Sequence, residues 1–196
     1  MGRTAALILA GGEARRMGGL DKPLITVGGE TILARILSRL AAHELIAISA
    51  NGDPARFASY GCEILPDEPG GPRGPLAGIL AGLRWAEEAG ASALLTVPGD
   101  GPFVPSDLAQ RLSPGPSHAA SGGRRHPTAA LWNLPLAAKL EAHLAALAGG
   151  PRRGFSVLGF AETIGARTVT FADDPDPFLN VNTPEDLRQA EARLAC

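Results

Sequence analysis

The feature that most constrains this chain is a six-residue apolar run, Ala5–Ala10 (AALILA), that stops at Gly11-Gly12. A run of strand length without polar alternation marks a strand buried on both faces, as in the middle of a parallel sheet. Leu45–Ser49, Cys62–Leu65, Ala93–Val97 and Arg167–Phe171 read as further strands. Between them lie helical patterns over Thr31–Ala42, with Ile32, Ile36, Leu37 and Leu40 on one stripe, and over Leu76–Ala89 and Leu134–Leu147. Ser106 is expected to cap a helix running to about Leu112. His118–Ser121 and Thr128–Trp132 flank Gly122-Gly123 and are expected to pair through a turn. Thr183-Pro184-Glu185-Asp186 opens the last helix with a cap, a proline at the first helical position and an acidic third position. Strands alternating with helices predict an α/β fold with a mainly parallel central sheet. No repeat, low-complexity tract or linker divides the sequence, so residues 1–196 are expected to form a single domain.

Charge and cysteine usage narrow the function. Lys and Arg number 18 against 20 Asp and Glu, a formal net charge of −2. A protein that holds a long polyanion usually carries a basic excess, so nucleic-acid binding is not expected. Small phosphorylated ligands need only a local cluster of positive charge. Cys62 and Cys196 lie in no Cys-x-x-Cys or Cys/His spacing, and His43, His118 and His143 have no ligand spacing. No uninterrupted apolar segment is long enough to span a bilayer, so no membrane association and a cytoplasmic location are expected.

In open α/β sheets, ligands bind beyond the carboxyl ends of the strands. After the first strand comes Leu9-Ala10-Gly11-Gly12, then Arg15-Arg16-Met17-Gly18-Gly19 and Lys22. Glycines let backbone N–H groups approach phosphate oxygens, arginine adds a planar fork, and lysine a point charge. The loop has neither the Gly-Lys-Ser/Thr of a P-loop nor the dinucleotide GxGxxG. Asp100, within Pro98-Gly99-Asp100-Gly101-Pro102-Phe103, sits where a strand ends. Magnesium usually takes one or two protein carboxylates plus phosphates and waters. An aspartate in a turn is common, but beside a cationic loop on the same sheet edge the metal reading is favoured. Asn51 and Asp67 follow the second and third strands, where each either meets a base or ribose or bonds its own backbone. Pro72-Arg73-Gly74-Pro75 precedes a helix start, a ready anion site. Arg124, Arg125 and His126 form one further cationic patch and Arg152 with Arg153 another, a pattern that is usually solvated surface.

No Gly-x-Ser-x-Gly, no His-Glu-x-x-His and no cysteine with a positioned histidine offers a covalent centre. Attack by a phosphate on an α-phosphate needs none. A phosphate monoester is largely a dianion at neutral pH, and the protein then aligns and neutralises charge.

These residues resemble the molybdenum cofactor guanylyltransferases. Leu9-Ala10-Gly11-Gly12 with Arg15-Arg16-Met17-Gly18-Gly19 and Asp21-Lys22 is similar to that family's opening motif, and Gly74-Pro75-Leu76-Ala77-Gly78 to its second. Gly99-Asp100 with Pro102-Phe103 resembles its metal motif. His126-Pro127-Thr128 and Asn180-Val181-Asn182-Thr183-Pro184-Glu185 resemble its later signatures. The opening motif is shared with sugar-nucleotide and cytidylyl enzymes; the two later segments narrow the match to the molybdenum branch. The resemblance implies a Rossmann-like three-layer sandwich and transfer of GMP from GTP to the terminal phosphate of molybdenum-bearing molybdopterin, releasing pyrophosphate. By position, it implies that Leu9, Ala10, Gly11, Gly12, Lys22, Asn51, Asp67 and Asp100 bind GTP and that Asp100 holds Mg²⁺. Arg16, Lys22 and Asp100 would form the catalytic set. Asn180 and Asn182 would lie near the acceptor or the metal, and His126 and the basic pair Arg152-Arg153 are expected on the acceptor side. Gly101 stands where threonine is frequent, which removes a hydroxyl but not the carboxylate. Transient contact with molybdoenzymes or delivery chaperones is also implied. Two alternatives remain: a relative using another base or acceptor, and a non-catalytic delivery protein. Arg16, Lys22 and Asp100 together argue against the second.

Overall fold

A computed structural model describes residues 2–11, 21–68, 74–147 and 156–195. The strands among them are β1 (Thr4–Leu9), β2 (Thr26–Val27), β3 (Glu30–Thr31), β4 (Ile46–Ser49), β5 (Glu63–Leu65), β6 (Ala93–Pro98), β7 (Ser117–Ser121), β8 (Arg124–Asn133) and β9 (Arg167–Thr170). The helices are α1 (Ile32–Arg39), α2 (Pro75–Glu88), α3 (Leu108–Leu112), α4 (Leu136–Leu147), α5 (Val157–Thr163) and α6 (Pro184–Leu194). Seven strands form one sheet in the order β5-β4-β1-β6-β8-β7-β9. The first four of that order run parallel, β8 runs antiparallel to both its neighbours, and β9 is parallel to β7.

The apolar run behaves as its composition requires. Ala5, Ala6, Leu7 and Ile8 are completely buried. Successive side chains of a strand point to opposite faces, and here they feed two separate cores. Ala6 and Ile8 pack with Ile32, Leu33 and Ile36 of α1, Leu108 of α3 and Ala190 of α6. Ala5 and Leu7 pack with Ile79 and Leu83 of α2, Leu140 of α4 and Phe160 of α5. The sheet is therefore the middle of three layers. The chain passes from β1 outward to β4 and β5, then returns to place β6 on the other side of β1. That reversal opens a crevice at the carboxyl end of β1.

Local signals set most boundaries. Thr31 caps α1 by accepting from Ala34 N at 3.1 Å. The helix is shorter than the predicted Thr31–Ala42, because Leu40 N bonds both Ile36 O and Leu37 O and the chain turns there. Gly122 and Gly123 have φ of 52° and 75°, the conformation a two-residue hairpin turn demands between twisted strands. Thr183 and Asp186 form a reciprocal capping box with Pro184 at the first position of α6. The expected Ser106 cap is corrected. The cap position of α3 is Asp107, without a side-chain bond, and the helix is set by the complete burial of Leu108 and Leu112. Helix α5 gave no periodic signal, since its seven residues are too few. It is fixed by the Ser156 cap and by burial of Phe160 and Ala161. No helix of the described residues is long and apolar enough to cross a membrane.

Helix α2 lies unusually close to the sheet at its glycines. A Cβ at Gly82 would stand 2.5 Å from Leu7 Cδ2 and 3.1 Å from Leu94 Cδ2. Gly82→Val is expected to destabilise the fold by about 1–3 kcal/mol through overpacking. The check is urea unfolding: a lower midpoint with unchanged slope is expected, and an unchanged midpoint would show that α2 is free to move off the sheet.

Candidate active site

Strands β1 and β6 pair in register up to Leu9 and Pro98. The residues just beyond the two strands are therefore side by side: Ala10-Gly11 on one, Gly99-Asp100 on the other. Gly99 N donates to Leu9 O at 3.0 Å. A Cβ at Gly99 would lie 2.9 Å from Leu9 O and 3.1 Å from Ala10 Cα, so only glycine permits this approach. Over these ends opens a cleft of about 230 Å³. Leu9, Ala10, Gly11, Lys22 and Asp100 line it, joined by Asp21, Pro23, Pro75, Pro98, Gly99, Thr128 and Asn180. Pro75 is the first residue of α2, so the positive end of that helix dipole faces the cleft.

Lys22 and Asp100 meet in the cleft. Lys22 opens a short 3-10 turn anchored by buried Pro23. Its Nζ lies 3.7 Å from Asp100 Oδ2 and donates to Asn182 Oδ1. Burial pushes the Asp100 carboxyl above its ordinary range, while the Lys22 charge and the Asn182 amide pull it back down. Backbone geometry adds a further tie, from Val181 N to Asp100 O at 2.8 Å. Asn182 N in turn donates to Asp186 Oδ2 at 2.9 Å, within the cap of α6. Residues 160 positions apart thus share one charge-balanced cluster.

Asn51 and Asp67 lie beside this cleft rather than in its lining. They bond each other reciprocally: Asn51 Nδ2 donates to Asp67 Oδ2 at 2.8 Å, and Asp67 N donates to Asn51 Oδ1 at 2.9 Å. One amide hydrogen of Asn51 and the other Asp67 oxygen take no part in that pair. A further residue, absent from the sequence-based set, adjoins it. Arg56 NH1 donates to both Asp21 oxygens, at 2.9 and 3.0 Å, and its NH2 donates to Asn51 O. A signal for Arg56 existed: Asp53-Pro54 is a cap with a proline at the first helical position, which marks a helical turn directly after β4.

The second half divides. Asn180 and Thr128 line the cleft. His126 does not. Its ring stacks on Phe178 with centroids 4.7 Å apart, and Nε2 lies 2.8 Å from Ser121 Oγ. Ser121 gives its one hydrogen to Asp176 Oδ1 at 2.8 Å, so Nε2 of His126 carries the proton donated to Ser121. Gly12, Arg16, Arg152 and Arg153 lie outside the described residues, as do Pro72 and Arg73.

The cleft thus gathers a lysine, a carboxylate beside it, a helix N-terminus and closely approaching backbone. Residues 6–161 match the model of the MobA-like NTP transferase domain. The chain is 51% identical over 197 residues to a molybdenum cofactor guanylyltransferase of Cereibacter sphaeroides (strain ATCC 17029 / ATH 2.4.9), covering 98% of this chain and 97% of that one. It belongs to that family. A guanylyltransferase of Acidiphilium cryptum (strain JF-5) is 49% identical over 188 residues, 95% of this chain and 93% of that protein. A solved structure of molybdopterin-guanine dinucleotide biosynthesis protein A from Archaeoglobus fulgidus superposes with a TM-score of 0.73 at 21% identity, covering 97% and 98% of the two chains. The sandwich is thus a nucleotidyltransferase fold, and the chain is a nucleotidyltransferase of the molybdenum cofactor guanylyltransferase family. The domain match contains Lys22, Asn51, Asp67 and Asp100, whereas Asn180 and Asn182 fall beyond it.

The histidines of the β7–β8 hairpin predict that this guanylyltransferase-family chain loses stability in acid. Burial lowers the pKa of His126, an effect Asp176 opposes and Arg124 reinforces; burial and then Arg125 lower that of His118. The unfolded chain takes up both protons near pH ~6.5, the folded chain only at lower pH. Their contribution to stability is therefore intact above that value and is lost as pH falls below it. His126→Gln keeps a partner for Ser121 without titrating. Its thermal midpoint is expected to drop less than the wild type's between pH ~7 and ~5; an equal drop would show that the His126 proton is not linked to folding.

Proposed function

We propose that the chain transfers GMP from GTP to the terminal phosphate of molybdenum-bearing molybdopterin, releasing pyrophosphate, within a single domain formed by residues 1–196. The observation that carries this reading is Lys22 beside Asp100 over the ends of β1 and β6, in a chain half identical over nearly its full length to guanylyltransferases. One oxygen of the acceptor phosphate attacks the α-phosphorus of GTP. The bond from that phosphorus to the β-bridging oxygen breaks, and pyrophosphate leaves with the electron pair. The acceptor is already largely dianionic, since its second pKa is near ~6, so no general base is required. Lys22 neutralises charge on the transferred group, and Arg16 is assigned to the same triphosphate. Asn51 and Asp67 are assigned to the guanine-ribose end, with Leu9, Ala10, Gly11 and Gly12 bringing backbone toward the phosphates. Asn180, Asn182, Arg152 and Arg153 are assigned to the acceptor side, with His126 supporting it from behind through Phe178.

The residues at the cleft fit Mg²⁺. Among the described residues no three His, Cys, Asp or Glu side chains gather into a complete cage. Asp100 supplies one carboxylate, and Asn180 lines the same cleft with an amide oxygen. A magnesium site needs few protein ligands of this hard-oxygen kind, because phosphates and waters complete it. Asp100 would hold the ion, which would supply charge neutralisation on the phosphates. Product would pass to molybdoenzymes or delivery chaperones by transient contact.

Pyrophosphate release, measured with each nucleoside triphosphate and with or without molybdenum-bearing molybdopterin, tests the reaction. Release with GTP and the acceptor together is expected; comparable release with CTP, or release without acceptor, would overturn the assignment. Asp100→Asn keeps shape but removes charge, and turnover is expected to fall at least ~10²-fold, the scale of one major electrostatic element. The variant is expected to unfold at a temperature close to the wild type's, since its shape is kept. Lys22→Ala removes charged hydrogen bonds each contributing about 1.5–3 kcal/mol and should weaken GTP use by tenfold or more. Wild-type kinetics in both variants would place the triphosphate elsewhere.

A further inference from the structure

We infer that Arg56 is a positioning residue for the nucleotide, acting through Asp21 and Asn51. The inference rests on the reading that GTP lies along the cleft with its base end toward Asn51 and Asp67. Three observations carry it. First, Asp21 lines the cleft immediately before Lys22, so a carboxylate faces the space assigned to a highly anionic triphosphate. Left alone, it would repel the ligand. Arg56 covers both its oxygens with one NH1 group, at 2.9 and 3.0 Å. Second, the NH2 group of the same guanidinium donates to Asn51 O, just past the end of β4. The planar fork therefore fastens the start of the Lys22 turn to the residue that holds Asp67, joining the phosphate end of the cleft to the base end. Third, Arg56 is itself fixed. Its turn is capped by Asp53, which accepts from Ala55 N at 2.9 Å, and is pinned to the core by the side chain of Phe57, 1% exposed. The Arg56 guanidinium carbon lies 4.8 Å from the centroid of that ring. Its third nitrogen, Nε, is buried without a hydrogen-bond partner among the described residues. The guanidinium is thus spent on Asp21 and Asn51 rather than on its own complete hydrogen bonding.

The two links predict a defined kinetic signature. Losing Arg56 uncovers the Asp21 charge and frees the Asn51 carbonyl, which affects capture of GTP before it affects the chemical step. Arg56→Ala is expected to raise KM for GTP about tenfold, the scale of one charged hydrogen-bonded contact, with kcat within about threefold and the acceptor KM within about twofold. Arg56→Lys retains charge but not the fork, so a rise of about threefold is expected. Asp21→Asn placed on Arg56→Ala removes the exposed charge and should bring KM back toward the wild type rather than raise it further. A purely structural role would instead lower the thermal midpoint and the active fraction, seen as lower kcat at unchanged KM. That result, an unchanged KM for GTP in Arg56→Ala, or a double variant worse than Arg56→Ala alone would overturn the inference. Asn51→Ala and Asp67→Ala keep the two levels apart. If they raise KM for GTP while Arg56→Ala does not, the positioning role fails and the placement of the base end survives. If neither raises it, that placement fails, and the Arg56 role built on it fails with it.

Discussion

The site depends on β1 and β6 being hydrogen-bonded parallel neighbours. Their register ends at Leu9 and Pro98, and Gly99 then turns against Leu9 O and Ala10 Cα with no room for a side chain. That contact sets the distance between the backbone assigned to phosphate and the carboxylate assigned to metal. Were the strands separated by an intervening one, Asp100 would stand a further ~5 Å away, the spacing of adjacent strands, and could not share Lys22. The completely buried residues of β1 are what keep it central, since two cores compete equally for its two faces.

Much of this was legible in the chain itself. Buried strands announce themselves as apolar runs because both faces are covered, so β1, β4 and β6 were readable without any partner in view. The capping box at Thr183 and the turn at Gly122-Gly123 were readable because their chemistry is local. Lys22 and Asp100 were readable from their place after strands. Helix α5 and the start of α3 were not: α5 is too short to show a period despite its local Ser156 cap, and α3 is set by burial of Leu108 and Leu112 without a side-chain cap. The surroundings of His126 were hidden because they come from distant parts of the chain. Its neighbour Asp176 is 55 residues from the serine that links them, and Phe178 is further still along the chain. Arg56 sits in a turn whose cap was visible, but its two partners, Asp21 and Asn51, are adjacent only once β1 and β4 pair.

Charge placement follows one rule among the described residues of the cleft: each ionic group that lines it is paired across elements. Lys22 is balanced by Asp100, Asp21 by Arg56. Pairing of this kind removes the penalty of a half-buried single charge without removing the charge itself. Lys22 is thereby held oriented by its partner, so that a ligand engaging it need not order a free side chain.

The segment from Asp176 to Asn182 ties the two halves of the chain together. Asp176 is held by Ser121 at the end of β7, and Phe178 by the ring of His126 in β8. Further along, Val181 is tied to the Asp100 carbonyl, and Asn182 to the Lys22 ammonium. One short stretch is therefore clamped at its start by the antiparallel hairpin and at its end by the parallel half of the sheet. Asn180, which lines the cleft, lies between those clamps. Through the same short stretch the hairpin is tied to Lys22 and Asp100. The antiparallel extension of the sheet is thereby joined, through residues 176–182, to the cluster at the carboxyl ends of β1 and β6.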